Sequence, residues 1–278
     1  MKLARIYSDG KLAIKGELIE KVKEEPLLYF NGASQAVTIA NTNNRLQPSN
    51  TLTWEMWFKL DGFTQYNTLM GFSLNNFDFA RMDSPTSLKC HIRDSNGGAA
   101  YVILEGTPSV YDGEWHHMAI VWDGINGRRW GFLDGVQRHY STMEAGTNIG
   151  STSPYGSFTI GGATPTSRLI KGWIKEVRLW QIARTQQEIV NDMNVRLTGN
   201  EDGLFLYLPL NEGKGRTVID KASGYVADLG GAIWQGDNKN ITLTNSGNMV
   251  VYGEYIEGNK NSIQSGRLEL IDIIEGGV

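Results

Sequence analysis

A few side-chain groupings in this sequence have the types and spacing to do chemistry. Trp115-His116-His117 sets two imidazoles side by side, a pairing that invites a metal ion. On a strand, however, adjacent side chains point to opposite faces, so the two rings cannot ligate one ion without distortion. Packing and strand hydrogen bonds are the reading that follows. Lys89, His91 and Arg93 recur at every second position, which on a strand makes one polar stripe suited to an anionic sugar. Tyr66, Phe77 (beside Asn75-Asn76) and Tyr155 (in Ser151-Thr152-Ser153-Pro154-Tyr155-Gly156) are loop aromatics. A sugar has an apolar C–H face and a hydroxyl edge, so an aromatic platform beside amide or charged groups is what holds it. Arg81 and Arg93 supply bidentate polar contacts to such an edge. The ligand-binding candidates are therefore Tyr66, Phe77, Arg81, His91, Arg93 and Tyr155.

Glycoside hydrolysis on a strand scaffold needs two or three acids at alternate positions, aimed at one bond. No Glu-x-Asp-x-Glu run exists; Asp78/Arg81/Asp83 and Glu55/Lys59 come nearest, and neither is a carboxylate pair of that form. No catalytic residue is assigned, and the chain reads as non-enzymatic. There is no Asp-x-Asp-x-Asp calcium loop, and Asp123 and Asp134, each followed by glycine, read as turn residues. The single cysteine, Cys90, alternates with Leu88 and Ile92 and reads as a small core residue; no disulfide or zinc framework can be built from it.

The elements that must position these groups are strands. Of 278 residues 33 are glycine, well above the usual share of roughly 7%. Asp-Gly begins at 9, 61, 112, 123, 134 and 202, and Asn-Gly at 31, 96 and 126, all marking tight turns between alternating runs. One helix stands out: Thr185-Gln186-Gln187-Glu188 is a capping box, with Ile189, Val190 and Met193 following at helical spacing. A single helix of two or three turns among many strands means an all-β chain. With 40% hydrophobic residues it buries a core, and its eight tryptophans, all between 29 and 236, read mostly as part of that core.

Net charge is −4 and no Lys/Arg run exceeds Arg128-Arg129, which removes an electrostatic grip on nucleic acid. No apolar run approaches the ~20 residues of a membrane span. The first ten residues carry Arg5 and no 7–15-residue apolar region, so no Sec leader is expected.

The two ends share a repeat. Ser8–Glu20 aligns without a gap on Asn245–Glu257: a turn at Gly10/Gly247, alternating Leu12, Ile14 against Met249, Val251, then Gly16/Gly253 and Ile19/Ile256 in a Gly-Glu-x-Ile-Glu ending. A looser third copy runs from Gln264 to Glu275. Each copy is too short to bury an apolar face alone, so Leu12, Ile14, Gly16, Ile19, Met249, Val251, Gly253 and Ile256 are expected to serve as assembly arms. The expected domains are an N-terminal arm (1–28), a central domain (29–236) and a C-terminal arm (237–278).

The central domain resembles the laminin-G-like, concanavalin A-like jelly-roll family. The pieces stand in the family's order: Phe30-Asn31-Gly32, Leu52 to Lys59, Asp112 to Ala119, Trp122-Asp123-Gly124, Phe132 to Gly135, Ile160-Gly161-Gly162, Gly172 to Trp180 running into Ala183-Arg184-Thr185, and Tyr207 to Gly215 before Asp220. The resemblance implies an antiparallel two-sheet jelly-roll sandwich that binds sugars, proteins or lipids, with calcium as the usual ion. Asn31 and Asn211 stand where the family commonly has aspartate, which weakens a calcium role there. Members are usually exported. A domain of that kind without a leader, flanked by repeated arms, is expected in a bacteriophage virion: a structural and adhesion protein displayed on the particle. Its expected partners are other virion proteins or its own copies through the arms, and host surface polysaccharide; nucleic acid and membrane insertion are not expected. The rival readings are a carbohydrate-binding module of a bacterial surface or secreted protein, and a purely structural decoration protein.

Overall fold

The computed structural model describes residues 26–40, 46, 50–64, 66–72, 77–94, 99–104, 109–149, 157–164 and 166–235, and the backbone of six short strands nearer the ends. The N-terminal strands are β1 (Ala4–Ile6), β2 (Leu12–Ile14) and β3 (Glu17–Ile19). The central region contributes β4 (Leu27–Asn31), β5 (Val37–Ile39), β6 (Thr51–Leu60), β7 (Thr68–Phe72), β8 (Phe77–Ser84), β9 (Ser87–Arg93) and β10 (Ala99–Leu104). It continues through β11 (His116–Asp123), β12 (Arg128–Leu133), β13 (Val136–Thr142), β14 (Phe158–Ile160) and β15 (Lys171–Trp180) to helix α1 (Gln186–Asp192). After the helix come β16 (Leu204–Leu208), β17 (Thr217–Ile219), β18 (Val226–Asp228) and β19 (Ile233–Gln235). The last strands are β20 (Thr242–Leu243), β21 (Met249–Val251) and β22 (Glu254–Ile256).

By chain contacts the protein divides into two units, Leu27–Trp234 and the two ends together. The first is an antiparallel sandwich, the jelly roll that the sequence led one to expect. One sheet, called the β8 sheet below, has the order β10-β9-β8-β7-β14-β5-β18-β17; the other, the β6 sheet, has the order β13-β12-β11-β6-β15-β4-β19, with β16 also on β15.

Strand alternation builds the core. Along β6, Leu52, Trp54, Met56, Phe58 and Leu60 turn inward and are at most 2% exposed, while Thr53, Glu55, Trp57 and Lys59 turn outward. Facing them from the β8 sheet are Ala80, Met82, Leu88, Cys90, Ile92, Val102 and Leu104, all buried. Cys90 is in no disulfide. The same parity corrects the reading of the tryptophans: Trp54, Trp122 and Trp180 are buried, but Trp57, Trp115, Trp130, Trp173 and Trp234 are only half-buried. Trp57 and Trp173 occupy outward positions of central strands, which strand propensity favours but the core does not use. Gly172 (φ 144°) lets β15 lie close against its neighbour β6, since a Cβ there would lie 2.2 Å from the Lys59 carbonyl oxygen.

Helix α1 has the capping box predicted from sequence: the Thr185 hydroxyl accepts from the Glu188 N–H at 3.3 Å, and Glu188 Oε2 accepts from the Thr185 N–H at 2.7 Å. It buries Ile189 against Ala119, Val121 and Phe132, on the outer face of the β6 sheet. Roofing that face buries charge. Glu55, fully buried, accepts from Arg184 Nη1 at 2.6 Å, and Arg184 also binds Asp192 and the Glu188 carbonyl. Arg178, equally buried, donates to Glu176 Oε2 at 2.7 Å and to the carbonyls of Asp192 (2.9 Å) and Val195 (2.6 Å); the Tyr207 hydroxyl donates to the same Glu176 oxygen. Burial pushes the Glu55 carboxyl up, and Arg184 and Arg178 offset this only in part, so the net shift is upward. His117 lies in the same cluster; burial first, then Arg178 and Arg184, hold its ring neutral with a pKa pushed down to about 3.

His116 points the other way. Its Nδ1 is 2.9 Å from Asp134 Oδ2 and its Nε2 3.2 Å from Asp112 Oδ1, while Asp134 Oδ1 accepts the His117 N–H. Burial lowers its pKa, but the bonds to Asp134 and Asp112 outweigh that and the net shift is upward. The two histidines thus serve separate faces, as the strand argument required.

The end segments form two three-stranded meanders, β1-β2-β3 and β20-β21-β22. Their registers correspond residue for residue: Leu12 opposes Ile19 as Met249 opposes Ile256, and Ile14 opposes Glu17 as Val251 opposes Glu254. The side chains of these strands, Gly16, Gly253 and the third copy from Gln264 lie outside the described residues.

Two outcomes follow for stability. Arg184→Met takes the hydrogen-bonded cation from buried Glu55, leaving only Arg178 at 3.8 Å, and costs about 3 kcal/mol in urea denaturation, and adding Glu55→Leu recovers most of it. For His116, whose folded pKa lies above the unfolded one of about 6.5, the stabilisation is complete below that pH and lost as pH rises through the folded value. Thermal midpoints at pH 6 and pH 8.5 therefore differ more in the wild type than in His116→Gln.

Candidate functional site

The outer face of the β8 sheet gathers three of the sequence-selected residues. On β8 and β9, which are joined by a tight turn, Arg81 opposes Lys89; across the next pair His91 opposes Tyr101 of β10. Alternation puts Arg81, Asp83, Lys89, His91 and Tyr101 outward because their neighbours fill the core.

Tyr66 reaches this face from the loop before β7. Its N–H donates to the Met82 carbonyl at 2.8 Å, and the Met82 N–H returns a bond to the Asn67 carbonyl at 2.8 Å, so the loop is clipped onto β8. Asn67 is buried and ties two loops: its Oδ1 accepts from the Thr64 N–H at 2.5 Å, and its Nδ2 donates to the Leu169 carbonyl. The Thr68 N–H donates to the Arg168 carbonyl at 2.8 Å. Both residues flanking this junction are left-handed, Tyr66 at φ 67° and Arg168 at φ 54°. For a bulky residue that backbone costs roughly 1–2 kcal/mol and persists only where surrounding structure enforces it.

The ring of Tyr66 lies beside two guanidinium groups. The Arg81 Cζ is 5.1 Å and the Arg168 Cζ 5.8 Å from the ring centroid. Asp83 joins this cluster to a second aromatic station: it accepts from Arg81 Nε at 2.9 Å and pairs with Lys89 Nζ at 3.4 Å. Lys89 lies 4.2 Å from the Tyr101 centroid, and His91 stacks on Tyr101 at 4.9 Å with 14° between planes. Tyr66 remains 42% and Tyr101 39% exposed, so both rings keep surface for a ligand. With Arg81, Arg168 and Lys89 against Asp83, the patch is cationic on a chain of net charge −4. Such a face stacks an apolar ring surface and binds a carboxylate or sulfate at its edge.

Of the other candidates, Arg93 follows two positions after His91 on β9 and Phe77 opens β8, but their side chains lie outside the described residues, as does the whole of Tyr155. Arg168 escaped sequence reading because it is some hundred positions from Tyr66 and carries no local pattern. Tyr101 was legible only through the alternation of Ala100, Val102 and Leu104 around it.

Among the described residues no group of three or more His, Cys, Asp or Glu is placed to hold a metal ion. Asn31 Oδ1 instead accepts from the N–H groups of Ala33 and Ser34, and Asp123 binds Asn126, both as turn residues.

Comparison with known proteins agrees with this architecture. The profile of the concanavalin A-like lectin/glucanases superfamily matches residues 31–190, and the chain belongs to that family. Mouse pappalysin-1 is 21% identical over 183 residues, 61% of this chain and 11% of pappalysin-1. The mouse sushi, von Willebrand factor type A, EGF and pentraxin domain-containing protein 1 is 26% identical over 151 residues, 50% of this chain and 4% of that protein. The chain thus spans only a small part of these relatives. Among solved structures, a "putative carbohydrate binding protein" from Bacteroides ovatus superposes with a TM-score of 0.60 at 20% identity, covering 83% of this chain and 64% of that one.

The strained platform gives a direct expectation. Tyr66→Gly relieves a left-handed backbone and leaves thermal stability unchanged or higher, by up to about 1 kcal/mol, in a melting experiment.

Proposed function

We propose that the protein is a non-enzymatic glycan-binding sandwich whose ligand is an acidic polysaccharide bearing carboxylates or sulfate esters. The observation that carries this is Tyr66, exposed and held in a strained backbone beside Arg81 and Arg168. Leu210 holds a similar backbone (φ 57°) while fully buried, whereas Tyr66 is 42% exposed beside two guanidiniums, so its ring is presented to solvent rather than packed. One sugar ring rests on Tyr66 with its anionic group between the arginines, and a second ring meets Tyr101 beside Lys89 and His91. Family membership and the Bacteroides ovatus fold relative, named for carbohydrate binding, support the class of ligand.

We also propose that the module is displayed on a particle surface, as in a phage virion, with the end meanders as attachment or self-assembly arms. What supports this is that the two repeats share one strand register. Glycan arrays separate this reading from its rivals. Binding to host-type polysaccharide supports adhesion; a blank array with an assembling chain points to a decoration protein.

In titrations with uronic-acid or sulfated oligosaccharides, Tyr66→Ala and Arg168→Ala each weaken binding at least tenfold, about 1.4 kcal/mol. Raising NaCl from 0.05 to 0.5 M weakens the wild type as well, since partly exposed cations are screened. Equal affinity for neutral glucans, or wild-type affinity in Tyr66→Ala, contradicts the assignment.

A further inference from the structure

The opposite side of the sandwich carries a second aromatic and cationic surface. Where the roof over the β6 sheet ends, three strands continue with outward residues that the core does not need. In register across β4, β15 and β6 stand Tyr29, Trp173 and Lys59; one step along, Lys175 opposes Trp57. Trp115, just before β11, completes the group. Tyr29 and Trp173 have ring centroids 5.0 Å apart, Lys59 Nζ is 5.8 Å from Trp173, and Lys175 Nζ is 4.4 Å from Trp115 and 5.9 Å from Trp57. All six are half-buried. Their inward neighbours Leu28, Phe30, Phe58 and Ile174 fill the core and are fully buried. Trp57 is anchored at the edge of the roof, its Nε1 donating to the Met193 carbonyl at 2.7 Å and its ring 5.2 Å from His117, while the core makes no use of the outer faces of Tyr29, Trp173 and Trp115.

Three indoles and a phenol ring interleaved with two ammonium groups, spread over four strand positions or roughly 14 Å, form an extended platform rather than a cage for one small ion. Ring faces suit the C–H faces of successive sugars, and the lysines suit their acidic groups. We infer that this face is a second binding site for an extended acidic glycan, independent of the Tyr66 site. Because the two sheets lie on opposite sides of one core, a single sandwich engages two polysaccharide strands and cross-links them.

The test uses the full chain carrying Tyr66→Ala, which disables the first site. Acrylamide quenching of tryptophan fluorescence is followed while heparin, hyaluronan or dextran oligosaccharides are added. The expected result is saturable protection by at least one acidic glycan, none by dextran, and reversal in 0.5 M NaCl. In the same background Lys59→Glu/Lys175→Glu weakens binding at least tenfold with the melting temperature unchanged, and Trp115→Phe/Trp173→Phe provides a second, conservative variant. Absence of protection by either acidic glycan overturns the inference, as does equal protection by dextran or wild-type affinity in the lysine double variant. Quenching that falls with protein concentration alone, without glycan, assigns the face to contact between copies and likewise overturns it.

Discussion

The central strands of this sandwich commit alternate residues to one shared core, and the rest of the molecule follows from that constraint. Along β6 the inward set is Leu52, Trp54, Met56, Phe58 and Leu60; along β9 it is Leu88, Cys90 and Ile92. A one-residue slip would exchange these with Glu55 or His91, so register is fixed strongly. What the protein shows to its surroundings is then whatever stands at the intervening positions.

Those positions meet three fates. Under α1 they are sealed, and the acids and bases there must answer one another: Glu55, Arg184, Arg178, Glu176 and Asp192 form one connected set, with His117 kept neutral among them. Such a cluster stabilises little relative to an apolar packing, but it is intolerant of losing one member, which ties the helix to a single placement. On β8, β9 and β10 the described outward positions stay partly open and include Arg81, Lys89, His91 and Tyr101. Beyond the helix, on the β6 sheet, they are open again and rich in indole. The sealed and open regions share an alternation but differ in what covers them.

Much of the fold was legible because its signals are local. The turns at Asp134-Gly135, the capping box at Thr185 and the alternation around Cys90 each depend on a few adjacent residues, and the order of the family pieces supplied the jelly roll. The site was legible only in part. Tyr66, Arg81 and His91 could be chosen by type, yet nothing local tells that Arg168 arrives beside Tyr66; a buried Asn67 bonded to the Leu169 carbonyl makes that junction. The tryptophans erred for a related reason: residue type says that an indole favours a strand, while only register says which face it takes, and Trp57 and Trp173 take the outer one. Glu55, read beside Lys59 as the nearest thing to an acid pair, is instead the buried partner of Arg184.

The repeated ends belong to another level of organisation. Their meanders repeat a register as well as a sequence. The central claim, however, concerns the β8 face, and a crystal structure of the full chain with an acidic trisaccharide tests it most directly. The account predicts a sugar ring stacked on Tyr66 with its carboxylate or sulfate between Arg81 and Arg168. A sugar seated instead in the loops at an end of the sandwich, or a Tyr66 face left bare at saturating ligand, would contradict it.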